Sequence, residues 1–462
     1  MTYHDDPALQ PGRPPELQFA GDVGPAERPV VGIYREIAAS QWWPAERMRR
    51  AQFGQLAALV EHARRHVPFY AARLEGVRPG ASGLVDEDAW RSLPLLEKAE
   101  VQREHADLKS RGLDPREKVA ARQTSGSTGV PLEVYITWIN RLLFAAIRMR
   151  FLHAHGYEFT GKVVDIHPMS AEDPLGAVRR HAMWEWPLGE LFETGELIEM
   201  DICSEIPDQV DLLEREAPRY CVTHPSNLRL LLAAFRKSGR RLPSLRMVRT
   251  RGETISPEVR AECREVLGVP LIDAYGATEA GYIATQCPGH DHYHVQSETN
   301  LVEVLHDDGT PCGPGESGRI VVTPLQNLAM PLLRYDLGDF AEVGEACPCG
   351  RGLPVLRRIH GREKEVLTLP SGEKRYSFFP STLFKDIPGV ARFQIVQTKL
   401  TELELRIVAE RPLTPGECGV IEARLENQAG PGFAIRWAFV DEIPPLPGGK
   451  RMEFVSEIKA GG

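Results

Sequence analysis

The chain has 462 residues, of which 42% are hydrophobic and 26% charged, and a formal net charge of −9. Such a chain can bury a large core in two or three domains, and its acidity argues against nonspecific nucleic-acid binding, which needs Lys and Arg to neutralise phosphates. No apolar run reaches the roughly 18 residues of a membrane span. Asp5 and Asp6 stand where a signal peptide carries base, so a cytoplasmic location is expected. Eight cysteines in such a compartment read as thiols or metal ligands, not a disulfide framework.

Residues 1–30 are rich in Pro among polar residues, and the segment 1–40 reads as a loosely packed N-terminal arm. From Pro44 to about His66, Met48, Phe53, Leu56, Leu59 and Val60 recur at helical spacing. Residues 134–137 read as a short strand, and 142–153 as an apolar helix buried for packing rather than binding. Strands are then predicted over 163–166, 220–223, 247–250 and 271–275, alternating with helices over 208–215, 227–238 and 257–267. That alternation implies parallel sheet covered by helices on both faces. Residues 301–305 and 318–323, with Asp307-Asp308-Gly309 between them, read as a hairpin. The texture changes after Gly361: strands over 392–398, 402–408 and 434–439, with a helix over 415–428, make a small α+β domain. The predicted fold is α/β, with a large domain over 41–360 holding mixed and parallel sheets flanked by helices. A small mobile α+β domain follows over 361–462.

Four segments carry chemistry. Thr124-Ser125-Gly126-Ser127-Thr128-Gly129-Val130-Pro131 is built from hydroxyls and bare amides. A Gly-rich turn of that kind can wrap a polyphosphate, and no Gly-Lys-[Ser/Thr] ending makes it a Walker loop. In Ala274-Tyr275-Gly276-Ala277-Thr278-Glu279 an apolar strand ends in a sharp turn. Tyr275 offers a flat face for a purine, Thr278 a hydroxyl, and Glu279 a hard carboxylate suited to magnesium. Arg334-Tyr335-Asp336-Leu337-Gly338-Asp339 and Gly361-Arg362-Glu363-Lys364-Glu365 complete the set.

In order and spacing these four segments resemble the adenylate-forming enzymes. The Arg-Tyr opening of the third and the nearby Cys-rich stretch resemble the phenylacetate–coenzyme A ligase branch, and the likeness covers about residues 50 to 460. The resemblance implies an ATP-dependent ligase that forms an acyl-adenylate, releases pyrophosphate and passes the acyl group to a thiol, coenzyme A first among them. It favours an aromatic or arylacetic acid. It implies that Ser125, Gly126, Ser127, Thr128 and Gly129 hold the β- and γ-phosphates. Thr278 then contacts the α-phosphate and Glu279 holds Mg²⁺. Tyr275, followed by Gly276, stacks on adenine beside Gly252 and Glu253, while Asp339 and Arg362 reach the ribose. Lys450, in the Pro/Gly stretch 444–451, bridges carboxylate and α-phosphate, with Arg451 next in register. Glu365 takes the hinge position about which the small domain turns between half-reactions. The family's Lys beyond the phosphate loop is absent, since Val130, Pro131 and Leu132 follow Gly129.

By the same resemblance Trp138, His224-Pro225-Ser226 and Tyr282 line the acyl pocket. Alternatives keep adenylation and change the acceptor to a carrier-protein phosphopantetheine or an amine, or transfer the adenylyl group to a phenolic cofactor. A nucleotide-binding regulator without catalysis is a further reading, as is a homodimer. Finally, Cys287-Pro288-Gly289-His290 and Cys347-Pro348-Cys349 supply four N/S donors suited to structural zinc. His292 and His294 compete with His290.

Overall fold

The computed structural model describes residues 17, 24–123, 132–169, 173–174, 176–202, 204–362, 367–369, 374–375, 379, 383–384, 387–430, 432–444 and 452–458. Its centre is a twelve-stranded sheet. From one edge to the other run Asn300–Leu305, Ser317–Pro324, Tyr335–Val343, Val355–Arg362, Tyr293–Val295, Gly281–Gln286, Leu271–Ala277, Met247–Thr250, Tyr220–Thr223, Val163–His167, Leu197–Asp201 and Val178–His181.

One strand divides this sheet. Residues 271–273 of Leu271–Ala277 pair in parallel with Met247–Thr250, and residues 274–277 pair antiparallel with Gly281–Gln286. On the first side the pairings are parallel up to the antiparallel edge strand Val178–His181. On the other side every pairing is antiparallel, including the predicted hairpin of Asn300–Leu305 with Ser317–Pro324.

The parallel half is apolar on both faces because helices cover both. Val164, Ile166, Ile198 and Val248 pack with Leu213, Leu228, Leu231 and Cys263 of helices Ile206–Glu216, Pro225–Ser238 and Pro257–Leu267. Val163, Leu197, Val222, Met247 and Ile272 face the opposite way, toward helix Trp138–Ala154. Helices over 225–238 and 257–267 follow local chemistry: each opens on Pro and closes on a left-handed Gly, Gly239 and Gly268.

Part of the expected N-terminal arm is core. Arg28–Ser40 is a helix whose Val30, Val31, Tyr34 and Ile37 are buried against helix Trp138–Ala154. Its apolar residues recur at helical spacing, but upstream prolines masked that signal, and Pro29 occupies the first turn, where a missing N–H costs nothing. A buried ion pair ties this helix to the sheet. Arg150 meets Glu298 at 2.5 Å, with side chains 7% and 9% exposed, and also donates to the carbonyl of Ile37 and to Gln296.

The C-terminal residues form their own four-stranded sheet in the order Ala434–Phe439, Glu402–Ala409, Val390–Lys399, Phe454–Ser456. Helix Pro415–Ala429 opens on a Thr414–Glu417 capping box and buries Ile421 and Leu425 against Ile395 and Leu405. Arg229 of the large domain approaches Glu453 of the small one at 3.6 Å.

Arg150→Ala should cost about 3–5 kcal/mol, because it leaves the Glu298 carboxylate buried without its partner. Denaturant unfolding checks this, and Arg150→Met combined with Glu298→Gln should recover part of the loss.

Candidate functional site

The strand that divides the sheet also presents the site. Residues 278–280 turn Leu271–Ala277 into Gly281–Gln286, closed by Ala280 N–H donating to Ala277 O at 3.1 Å and by Gly281 at φ +67°. This short hairpin loop puts Thr278 and Glu279 at its tip. Gly276 is needed there: a Cβ on it would lie 2.6 Å from the Gly281 carbonyl oxygen.

Tyr275, just before the turn, donates its hydroxyl to Asp339 Oδ2 at 2.6 Å. Asp339 lies on Tyr335–Val343, and its register partner on Val355–Arg362 is Arg362. Three residues expected at a nucleoside are therefore brought together by one side-chain hydrogen bond, between Tyr275 and Asp339 64 positions apart, and one strand pairing, of Asp339 with Arg362. Tyr335, on the same strand as Asp339, donates to Glu279 Oε1 at 3.4 Å.

Thr278 and Glu279 open into a cavity of about 520 Å³. Its walls include Phe144, Ile147 and Arg148 of helix Trp138–Ala154, together with Glu185, Trp186 and Tyr282. Phe144 and Tyr282 stack with ring centroids 4.5 Å apart and planes 13° apart. The helix expected only to pack thus has two working faces. Ala146, Met149 and Phe151 enter the core, while Asn140, Phe144 and Arg148, at helical spacing, line the cavity. Of the residues expected at an acyl pocket, Tyr282 is on the wall. Trp138 packs on Trp186, 5.4 Å between centroids, and so stands behind it. Ser226 instead lines a second cleft, of about 660 Å³, between the two domains.

Glu253 belongs to that second cleft as well. Its carboxylate accepts from Ser226 N–H at 2.8 Å and Ser226 Oγ at 2.9 Å, so it caps helix Pro225–Ser238 from outside the helix. Gly252 has φ +79°, and a Cβ there would press on the His224 ring at 3.2 Å. Arg357 and Arg358 line the same cleft, whereas Arg179, Arg180 and Arg240 form ion pairs with Asp173, Glu216 and Asp211. The phosphate octet 124–131, the hinge segment 363–366 with Glu365, the side chain of Arg362, and Lys450 and Arg451 lie outside the described residues.

Of the three histidines that could complete the thiol cluster, one lies beside it. Cys287, Cys347, Cys349 and His294 are all buried, with their donor atoms within 4.8 Å of one another. His290 is not among them: it turns toward the interdomain cleft. The reason is local. Residues 287–292 are the turn between strands, held by Cys287 N–H donating to His292 O at 2.8 Å, and His294 lies beyond it on strand Tyr293–Val295. The donor pair is therefore set across a hairpin rather than along a Cys-x-x-His run. The spacing suits zinc. Tetrahedral bonds of about 2.3 Å to sulfur and 2.0–2.1 Å to nitrogen imply edges of roughly 3.8 Å between sulfurs and 3.6 Å from sulfur to nitrogen. Cys287 and Cys347 sulfurs are 3.8 Å apart, and Cys349 sulfur is 3.4 Å from His294 Nε2.

Residues 55–327 match the family model described as AMP-binding enzyme, and residues 369–457 match the CapK C-terminal domain. The chain is 30% identical to a phenylacetate-coenzyme A ligase of Thermus thermophilus over 80% of this chain and 83% of that protein. It is 27% identical to an indoleacetate–CoA ligase of Aromatoleum aromaticum over 54% of this chain and 52% of that one. The fold matches the crystal structure of a 2-hydroxyisobutyryl-CoA ligase with TM-score 0.69 at 19% identity, covering 90% of each chain.

Gly276→Ala should destabilise by about 1–3 kcal/mol, because the new methyl meets a backbone carbonyl that cannot rotate away. Thermal unfolding reads the loss. The equivalent change at Gly239, where nothing lies within 4 Å of the added Cβ, should cost less and only through its positive φ.

Proposed function

The chain belongs to the AMP-binding enzyme family, and we propose that within it the protein is an AMP-forming acid–thiol ligase acting on an aromatic or arylacetic acid with coenzyme A as acceptor. The observation that carries the reading is the convergence of Tyr275, Asp339 and the Thr278-Glu279 hairpin tip beside a cavity with an aromatic wall. The relatives named for phenylacetate and indoleacetate support an arylacetic substrate.

The chemistry asks two anions to meet. A carboxylate oxygen attacks the α-phosphorus of ATP, the bond to the pyrophosphate oxygen breaks, and an acyl-adenylate forms. The thiol sulfur then attacks the acyl carbon, the bond to AMP breaks and the thioester leaves. Charge on the phosphoryl oxygens must be offset by oriented donors and cations. Thr278, at the hairpin tip, would donate to the α-phosphate. Tyr275 and Asp339 offer a ring face and a carboxylate to adenine and ribose, with Arg362 in register. Glu279 is the hard oxygen donor that would hold Mg²⁺, whose charge offsets that of the phosphates. Ser125, Gly126, Ser127, Thr128 and Gly129 would cradle the β- and γ-phosphates, and Lys450 would neutralise the approaching pair as a mobile point charge. The small domain beyond residue 361 would turn about Glu365 to exchange Lys450 for the thiol.

We also assign Cys287, His294, Cys347 and Cys349 as ligands of a structural zinc. All four positions are filled by protein, so the ion would fasten the hairpin turn to the 347–349 loop and leave no place for substrate.

Pyrophosphate release with a panel of carboxylic acids tests adenylation, and mass detection of an acyl thioester after addition of coenzyme A tests the acceptor. Lys450→Ala should abolish adenylate formation while thioester formation from supplied adenylate continues. Loss of both together contradicts this division of roles. For the metal, elemental analysis should find about one zinc per chain, lost in Cys347→Ser and His294→Ala and kept in His290→Ala.

A further inference from the structure

The zinc assignment leaves one ring nitrogen of His294 without a task. Nε2 lies 3.4 Å from the Cys349 sulfur and is the nitrogen that would bind the metal. It then gives its lone pair, and the ring proton must sit on Nδ1 as a donor. His294 is 2% exposed, and its Nδ1 has no hydrogen-bond partner among the described residues. A metal-bound imidazole almost always donates that proton to a neighbouring acceptor, which fixes the ring and raises its basicity.

His155 supplies such an acceptor. It closes helix Trp138–Ala154 as its C-cap residue and is 1% exposed. Its Nδ1 lies 2.9 Å from the Phe151 carbonyl oxygen. A carbonyl only accepts, so Nδ1 carries the proton and Nε2 holds a lone pair. That Nε2 is likewise buried without a partner among the described residues. Burial first, and then the charges of Arg351 and Arg260, pull this ring down to about 4, so it is neutral near pH 7 and keeps its acceptor. His155 and His294 line the same small cavity, of about 20 Å³. A water needs roughly 10–15 Å³ of such space and two to four polar partners. Thr285 lines the cavity too, and its Oγ1, which accepts from Gln296 Nε2 at 3.0 Å, still has a proton to give. One unspent donor, one unspent acceptor and a hydroxyl thus surround room for a single water. Either ring nitrogen left unanswered in the interior would be costly.

We propose that His155 positions the metal ligand His294 through one buried water: His294 Nδ1–H donates to the water, and the water donates to His155 Nε2. This rests on the assignment of Cys287, His294, Cys347 and Cys349 as zinc ligands. Arg351 serves the sulfur side of the same cluster. Its Nη1 is 3.5 Å from the Cys349 sulfur, while its Nε donates to Gln41 Oε1 at 2.9 Å. Three thiolates around Zn²⁺ leave one excess negative charge, which this guanidinium offsets. The ion then holds the C-terminal end of helix Trp138–Ala154 as well as the two loops, and that helix carries the Phe144 and Arg148 walls of the aromatic-lined cavity.

Zinc retention by the full-length protein against a competing chelator tests the bridge. His155→Met should weaken retention about 10–100-fold, with circular dichroism showing an unchanged fold. His155→Gln has the same length but sets an amide oxygen near the place of ring Nε2, so it should recover most of the loss, which a role in packing alone would not separate from Met. A crystal structure of the zinc-loaded protein should show one water within about 3.2 Å of both ring nitrogens. Unchanged retention in His155→Met, equal weakness in His155→Gln, or no water between the rings would each overturn the proposal, and the crystal structure decides even where a variant fails to fold. An unaltered protein that holds no zinc counts against the metal assignment, and the bridge falls with it. Zinc held equally well whatever stands at position 155 counts only against the bridge.

Discussion

The exchange of partners along Leu271–Ala277 is the constraint from which the site follows. Its first residues are locked into a parallel sheet and its last into an antiparallel one. Parallel and antiparallel ladders differ in hydrogen-bond slant and spacing. A strand that serves both must change course, and here the register shifts between Tyr275 and Gly276. At that point the chain presents Tyr275 to one neighbour and turns back on itself to expose Thr278 and Glu279. The Tyr275–Asp339 hydrogen bond then fixes the separation of two surfaces that a nucleoside would have to touch together.

The two halves of the sheet contribute different things. The parallel half supplies the apolar face on which helix Trp138–Ala154 packs, and with it the cavity wall that this helix presents. The antiparallel half supplies a rigid ladder that carries Asp339 and Arg362 side by side, and the hairpin whose far end holds the thiol cluster. The same strand, Gly281–Gln286, begins at Thr278-Glu279 and ends at Cys287. A zinc held there would therefore stiffen the strand that positions the hairpin tip, although it would take no part in the reaction.

Much of this was legible in the chain. Strands 220–223, 247–250 and 434–439 and helix 257–267 fall where apolar periodicity and Pro/Gly punctuation place them, because both faces of those elements meet core or solvent cleanly. Strand Val178–His181 was invisible because all four of its residues are exposed and three are charged or polar. Tyr335–Val343 was read as a motif and not as a strand, since Asp336, Gly338 and Asp339 interrupt its apolar pattern. The helix at Arg28–Ser40 was hidden by the prolines upstream of it. At the site, residue types that name a chemistry in one dimension were found: Tyr275, Thr278, Glu279 and Asp339. Phe144, Trp186, Arg148 and Glu185 were not, because their common cavity exists only after a helix crosses the sheet. His294 was one of three candidates within five residues, and only the turn geometry separates them.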